Sequence, residues 1–202
     1  MKRIVFFDVD TQYDFMHKDG KLYVPGAESI IPNLKKITQL AKKRNISVIA
    51  SVDKHFINGL GIASKTFPLD CMAWAKGHKK IPETKLSNTI PVPNKKLNNK
   101  KIKELKGKNR IIIEKQEHNA FSNPNLKSIL NGTKKAYVYG VATDYCVKAA
   151  VLGLRKMGVE TYIITDAIKP ILKKNEKRDL ELFRKKGAKF LTTSQLLRKK
   201  AL

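Results

Sequence analysis

No stretch of this 202-residue chain approaches the roughly 20 consecutive apolar residues of a membrane span. The apolar run nearest the start, Ile4 to Phe7, is too short for a signal-peptide core. It is followed at once by Asp8 and Asp10. The expectation is therefore a cytoplasmic protein with no membrane partner. Cysteine is nearly absent, with only Cys71 and Cys146 present. A cytosolic pair is normally reduced, which excludes a disulfide framework and leaves the question of a nucleophile. Acidic residues are scarce: 17 Asp and Glu face 42 Lys and Arg, for a net charge of +25. That excess would suit phosphate neutralisation. However, lysine far outnumbers arginine, and the lysines run along the whole chain rather than forming one patch. Nucleic-acid readers usually lean on the bidentate arginine fork. Specific nucleic-acid binding is therefore not expected. Repeats and domain linkers are lacking too, so residues 1–202 read as a single domain.

What is present is an alternation of strands and helices. Arg3 to Val9 is a continuous apolar run, as in a strand buried on both faces. Ile30 to Arg44 carries Ile30, Leu34, Ile37 and Ala41 at helical spacing. Further strands are expected at 46–52, 110–113, 136–141, 159–165 and 189–191. Helices are expected at 143–157 and 174–186, with a terminal helix capped by Ser194. Residues 85–108 read as a solvated segment holding a short helix. The pattern predicts an α/β fold, a three-layer α/β/α sandwich around a mostly parallel sheet of about six strands. In such sheets the site lies beyond the carboxyl ends of the strands. The residues there are Asp10, Asp53 with His55, Lys115, the stretch from Ala142 to Cys146, and Asp166. Three long loops, 11–29, 54–84 and 114–123, leave from the same edge.

Cys146 falls in the first turn of a helix that follows a strand. Unsatisfied N–H groups there favour thiolate and can hold an oxyanion. A buried structural cysteine would look the same in isolation. Asp10 alone could be a turn residue, and Lys115 one more surface lysine. Together the three offer a base, a cation and a nucleophile at three strand ends.

Asp10-Thr11-Gln12-Tyr13-Asp14-Phe15 resembles the D-x-Q-x-D-F opening of the isochorismatase-like cysteine hydrolases. The stretch from Gly140 to Val147, GVATDYCV, resembles their nucleophile segment in the form typical of nicotinamidases, and Thr165-Asp166-Ala167 resembles their T-D-A. The resemblance covers Arg3 to about Leu191. It implies a triad of Asp10, Lys115 and Cys146 that hydrolyses a small amide through a thioester. It also implies an oxyanion hole from the backbone N–H groups of Ala142 and Cys146, and a cis peptide before Ala142. Asp53-Lys54-His55 matches the family's D-x-H metal motif. Pro68-Leu69-Asp70-Cys71 occupies the P-x-H-C segment, with Asp70 where histidine is expected. Asp53, His55 and Asp70 are thus the implied ligands of a divalent ion, Zn, Fe or Mn, the harder donor set leaning away from Zn. Phe15, Phe67, Val141 and Tyr145 are the implied pocket walls, aromatic faces suiting a flat ring. His17, His78 and His118 read as ordinary surface residues. Nicotinamide hydrolysis in pyridine nucleotide salvage, toward NAD biosynthesis, is the implied role. Such sheets often pair into homo-oligomers.

Three other readings compete. The family includes isochorismatases, carbamoyl hydrolases and other small-amide hydrolases without metal. Phe6 to Asp10 also ends in D-x-D, as haloacid-dehalogenase-type phosphatases do, but Gln12 breaks their motif and the late acidic magnesium motif is missing. A basic nucleic-acid binder with a vestigial site is the third.

Overall fold

The computed structural model describes residues 3–56 and 68–199. In chain order the elements are β1 (Arg3–Val9), α1 (Tyr13–Met16), α2 (Ile31–Lys43), β2 (Ser47–Asp53), β3 (Ile90–Val92), α3 (Asn99–Lys106) and β4 (Arg110–Lys115). They continue with α4 (Leu126–Leu130), β5 (Thr133–Val141), α5 (Lys148–Lys156), β6 (Glu160–Lys169), α6 (Glu176–Lys185), β7 (Lys189–Leu191) and α7 (Thr193–Arg198). The strands form one sheet in the order β3-β4-β2-β1-β5-β6-β7, and every pairing is parallel.

β1 shows why two helical layers are needed. Val5, Phe7 and Val9 belong to a core with α3, α4, α5 and α6. Phe6 belongs to the opposite core, with Leu34, Ile37 and Ala41 of α2 and Leu196 of α7. Alternate side chains leave a strand on opposite faces, so a strand with apolar residues on both faces needs cover on both. The three-layer sandwich follows.

The chain builds outward from β1 to β2 and β4, then restarts on the other side with β5, β6 and β7. The switch point lies between β1 and β5, where open α/β sheets place their crevice. The two strands approach closely there. Gly140 has φ of 112°, and a Cβ on it would stand 2.0 Å from the Val9 carbonyl oxygen. Only glycine fits both the angle and the gap.

Several expectations are corrected. Among the described residues the sheet has seven strands rather than about six, and every pairing in it is parallel. The missed strand, β3, lies inside 85–108. It is three residues long, contains Pro91 and sits at the sheet edge, where a missing N–H is tolerated. No hydrophobic period can be read from three residues. The helix expected from Thr143 begins with a π-helical turn, Thr143–Val147, before α5 takes over. Thr192, not Ser194, caps the last helix, through a capping box with Gln195. β6 runs on through Asp166, which therefore does not end a strand. Its carboxylate accepts from the N–H of Thr193 at 2.7 Å and caps α7, away from the crevice. Phe67 lies outside the described residues. Among the described residues no helix is long and apolar enough to cross a membrane.

Replacing Gly140 by Ala should therefore cost about 3 kcal/mol or more of stability, from the strained angle and the clash together. Urea denaturation checks this, and a loss below about 1 kcal/mol would contradict the close β1–β5 contact.

Candidate active site

Parallel register brings the first groups together. Asp53 ends β2, Lys115 ends β4, and the two are paired across the sheet. Lys115 Nζ lies 2.6 Å from Asp53 Oδ1, 2.9 Å from Asp10 Oδ2 and 3.7 Å from Cys146 Sγ. Asp10 and Lys115 are 0% exposed. Asp10 leaves β1 with φ of 47°, a left-handed conformation that Asp tolerates better than most residues. That turn points its carboxylate at the neighbouring strand, where Ser51 Oγ donates to Oδ1 at 2.7 Å. Oxygens of Asp10 and Asp53 and the sulfur of Cys146 lie within 4.8 Å of one another. The three strand-end groups thus meet at one point.

Cys146 sits in the π-helical turn that follows the cis peptide Val141–Ala142. The electrostatics correct one expectation. Burial pushes the Cys146 thiol well above its ordinary value, and the nearby charges of Asp10 and Asp53 add to this. Lys115 opposes them without prevailing. The resting group is a thiol, not the thiolate that a helix N-terminus alone would favour. Burial would lower the Lys115 pKa, but Asp10, Asp53 and Cys146 hold it well above the usual lysine range. It stays an ammonium.

Beside this cluster a second group forms. Asp53, His55 and Asp70 are all buried, with ligand atoms within 4.8 Å of one another. Burial raises Asp53 to about 7, with Asp10 adding to the rise and Lys115 opposing it. Burial also raises Asp70 to about 6. Burial lowers His55, helped by Lys115 and His118, so the imidazole is neutral. Two buried carboxylates short of positive charge beside a neutral imidazole fit a divalent ion.

The surrounding backbone is pinned. Gln12 grips Asp53 twice: its Oε1 accepts from the Asp53 N–H at 2.7 Å and its Nε2 donates to the carbonyl at 2.8 Å. The loop with Asp70 is held to His55 by a parallel bridge to Met72. Asp14 accepts from the Cys71 N–H at 2.7 Å, fixing the residue next to Asp70. Cys71 itself is buried, with its Sγ 3.8 Å from the Gly77 carbonyl.

A pocket enclosing about 460 Å³, mouth included, opens onto both groups. Phe15, Val141 and Tyr145 line it, with Ala142, Cys146, Asp53, His55 and Asp70. Sequence reasoning missed Leu22, Val24 and Ile171, which are apolar walls, and Gln116, Glu117 and His118. His118 is not an ordinary surface residue. It lines the pocket, with its ring edge-on to Tyr145 at 5.4 Å. His78 is half-buried, with Nδ1 at 2.9 Å from the Asp53 carbonyl oxygen, and His17 stacks on Tyr13. Ser51 was also missed. Nothing local in the sequence marks it, although its place two residues before Asp53 on a central strand could have.

Because its pKa is raised, Cys146 should alkylate slowly at neutral pH, with a rate still climbing above pH 9. Iodoacetamide labelling with peptide mapping checks this and separates Cys146 from Cys71. A plateau below pH 8 would show a preformed thiolate instead.

The isochorismatase domain family model matches residues 5–195. Pyrazinamidase of Pyrococcus horikoshii in complex with zinc is 28% identical, with a TM-score of 0.77, over 94% of this chain and 99% of that one. Nicotinamidase/pyrazinamidase from Bacillus subtilis is 19% identical, with a TM-score of 0.76, over 93% and 98%. N-carbamoylsarcosine amidase from Thermoplasma acidophilum is 20% identical, with a TM-score of 0.73, over 95% and 96%. The curated proteins contain no match. With the family match spanning nearly the whole sheet and the strand ends that carry the site, the chain belongs to the isochorismatase family of hydrolases.

Proposed function

We propose that the protein is a nicotinamidase, converting nicotinamide and water to nicotinate and ammonia. The observation that carries this reading is the shared pocket: Cys146, backed by the fully buried Lys115 and Asp10, lines the same space as Asp53, His55 and Asp70. A substrate amide at the first group leaves a ring nitrogen free to meet the second.

The chemistry follows from the resting thiol. Asp10 accepts the Cys146 proton as Sγ attacks the amide carbonyl. The Lys115 ammonium, 3.7 Å from Sγ, stabilises the sulfur charge as it forms. Backbone N–H groups of Ala142 and Cys146 receive the developing oxyanion. Asp10 then gives the proton to the leaving nitrogen, ammonia departs, and a thioester remains. A water deprotonated by Asp10 attacks the thioester; the proton returns to Sγ and the acid is released. Asp53, His55 and Asp70 would hold a divalent ion, Zn, Fe or Mn, which supplies an electrophilic contact for the ring nitrogen. Phe15, Tyr145 and Val141 would confine the ring. Cytoplasmic pyridine nucleotide salvage by a single-domain enzyme is the setting this reading implies.

A second reading is favoured by Asp70. With a carboxylate where nicotinamidases carry histidine, the protein would be a metal-independent hydrolase of another small amide or carbamoyl compound.

Ammonia release from nicotinamide, with and without chelator, separates the two. Turnover that falls with chelator and returns with metal supports the first. Turnover of other amides only, untouched by chelator, supports the second. His55→Ala should lower bound metal and raise KM about tenfold or more with a smaller effect on kcat. Unchanged metal content and kinetics would remove His55 from the site. Cys146→Ala should lower kcat by about 10³-fold or more while leaving the fold intact. Residual activity within about tenfold of the parent would exclude Cys146 as nucleophile.

A further inference from the structure

Asp144 is buried, 3% exposed, yet takes no part in the chemistry above. It lies in the same turn as Cys146, two residues before it. Its carboxylate reaches away from the sulfur to the segment that follows β6. Oδ1 accepts from the Ile171 N–H at 2.9 Å, and Oδ2 accepts from the Leu172 N–H at 3.0 Å and from Asn175 Nδ2 at 3.3 Å. Among the described residues it has no ion pair. A buried carboxylate without a cation depends on such donors for its solvation, and bonds to a charged acceptor are stronger than neutral ones.

The segment it holds, residues 170–175, is otherwise fixed by the buried Pro170, by the packing of Ile171 on the core and by a local bond from the Asn175 N–H to the Leu172 carbonyl at 2.8 Å. Leu172, Lys173 and Lys174 are exposed. Ile171 is half-buried and forms one wall of the substrate pocket. One side chain thus ties the wall facing the substrate to the turn that carries the nucleophile.

We propose that Asp144 is a positioning residue: it anchors the 170–175 strap so that Ile171 closes the pocket around a small flat amide. The inference deepens the amide-hydrolase reading and rests on it for the substrate, but the anchoring itself can be measured without turnover.

The experiment compares the parent with Asp144→Asn and Asp144→Ala, and with Asn175→Ala should Asp144→Ala fail to fold. Trypsin cleavage after Lys173 and Lys174 reports the strap. It should quicken about tenfold or more in Asp144→Ala, the loss expected for bonds to a charged acceptor. Asp144→Asn, which keeps one acceptor oxygen, should fall between, and Asn175→Ala should show a smaller rise. The pocket is read from Cys146 labelling: bulky N-ethylmaleimide should gain on small iodoacetamide, while the pH profile of labelling stays fixed. With nicotinamide, KM should rise about tenfold and kcat change little. Unchanged cleavage and an unchanged labelling ratio would overturn the proposal. So would faster cleavage with an unchanged labelling ratio, since the strap would then be no pocket wall. If the parent fails to turn over nicotinamide, the substrate reading falls, while cleavage and labelling still decide the anchor.

Discussion

Everything at this site depends on one buried cation. Lys115 is the only fully buried lysine among the described residues, and it is held by Asp10, Asp53 and Cys146. Burying a lone ammonium would cost several kcal/mol, more than a domain can spare for one side chain. Two carboxylates offset that cost and bring an excess of negative charge. The excess has two consequences. It adds to burial, the larger cause, in keeping the resting sulfur protonated, so a base must act during attack. It also leaves Asp53 and Asp70 short of positive charge, which suits a divalent ion beside the nucleophile.

The sheet supplies the rigidity this arrangement needs. Asp53 and Lys115 are neighbours because β2 and β4 pair in one register. Slipping that register by one residue would turn one of the two side chains to the other face. Asp10 joins them through its left-handed turn and Ser51, and Gly140 lets β5 come close enough to deliver the Cys146 turn. The loops then act on this frame at second hand. Gln12 and Asp14 fix the backbone around Asp53 and Asp70, while Asp144 holds the wall that carries Ile171.

The remaining lysines behave differently. Those of α2 and most of those of α3 project from solvated helix faces, as at Lys35, Lys36, Lys42, Lys100 and Lys103. They add to a field that attracts anions and weakens with salt. They do not line the pocket.

By itself the sequence determined the alternation of strands and helices, the two-sided burial of β1, and the strand ends where chemistry gathers. These are written in local periodicity and in which residue follows each apolar run. The motifs from Asp10 and from Gly140 reached the family for the same reason: each is a contiguous stretch whose shape is set by its neighbours. Only the tertiary structure decided the rest. The Cys146 thiol stays protonated because of burial and two charges distant in sequence. His118, Ser51 and Ile171 join the site because strands far apart in the chain pair side by side. β3 became a strand because β4 offered it an edge. Asp166 left the crevice because β6 ran on and α7 needed a cap. Each of these turns on long-range contact and on dielectric, which no local window of sequence contains.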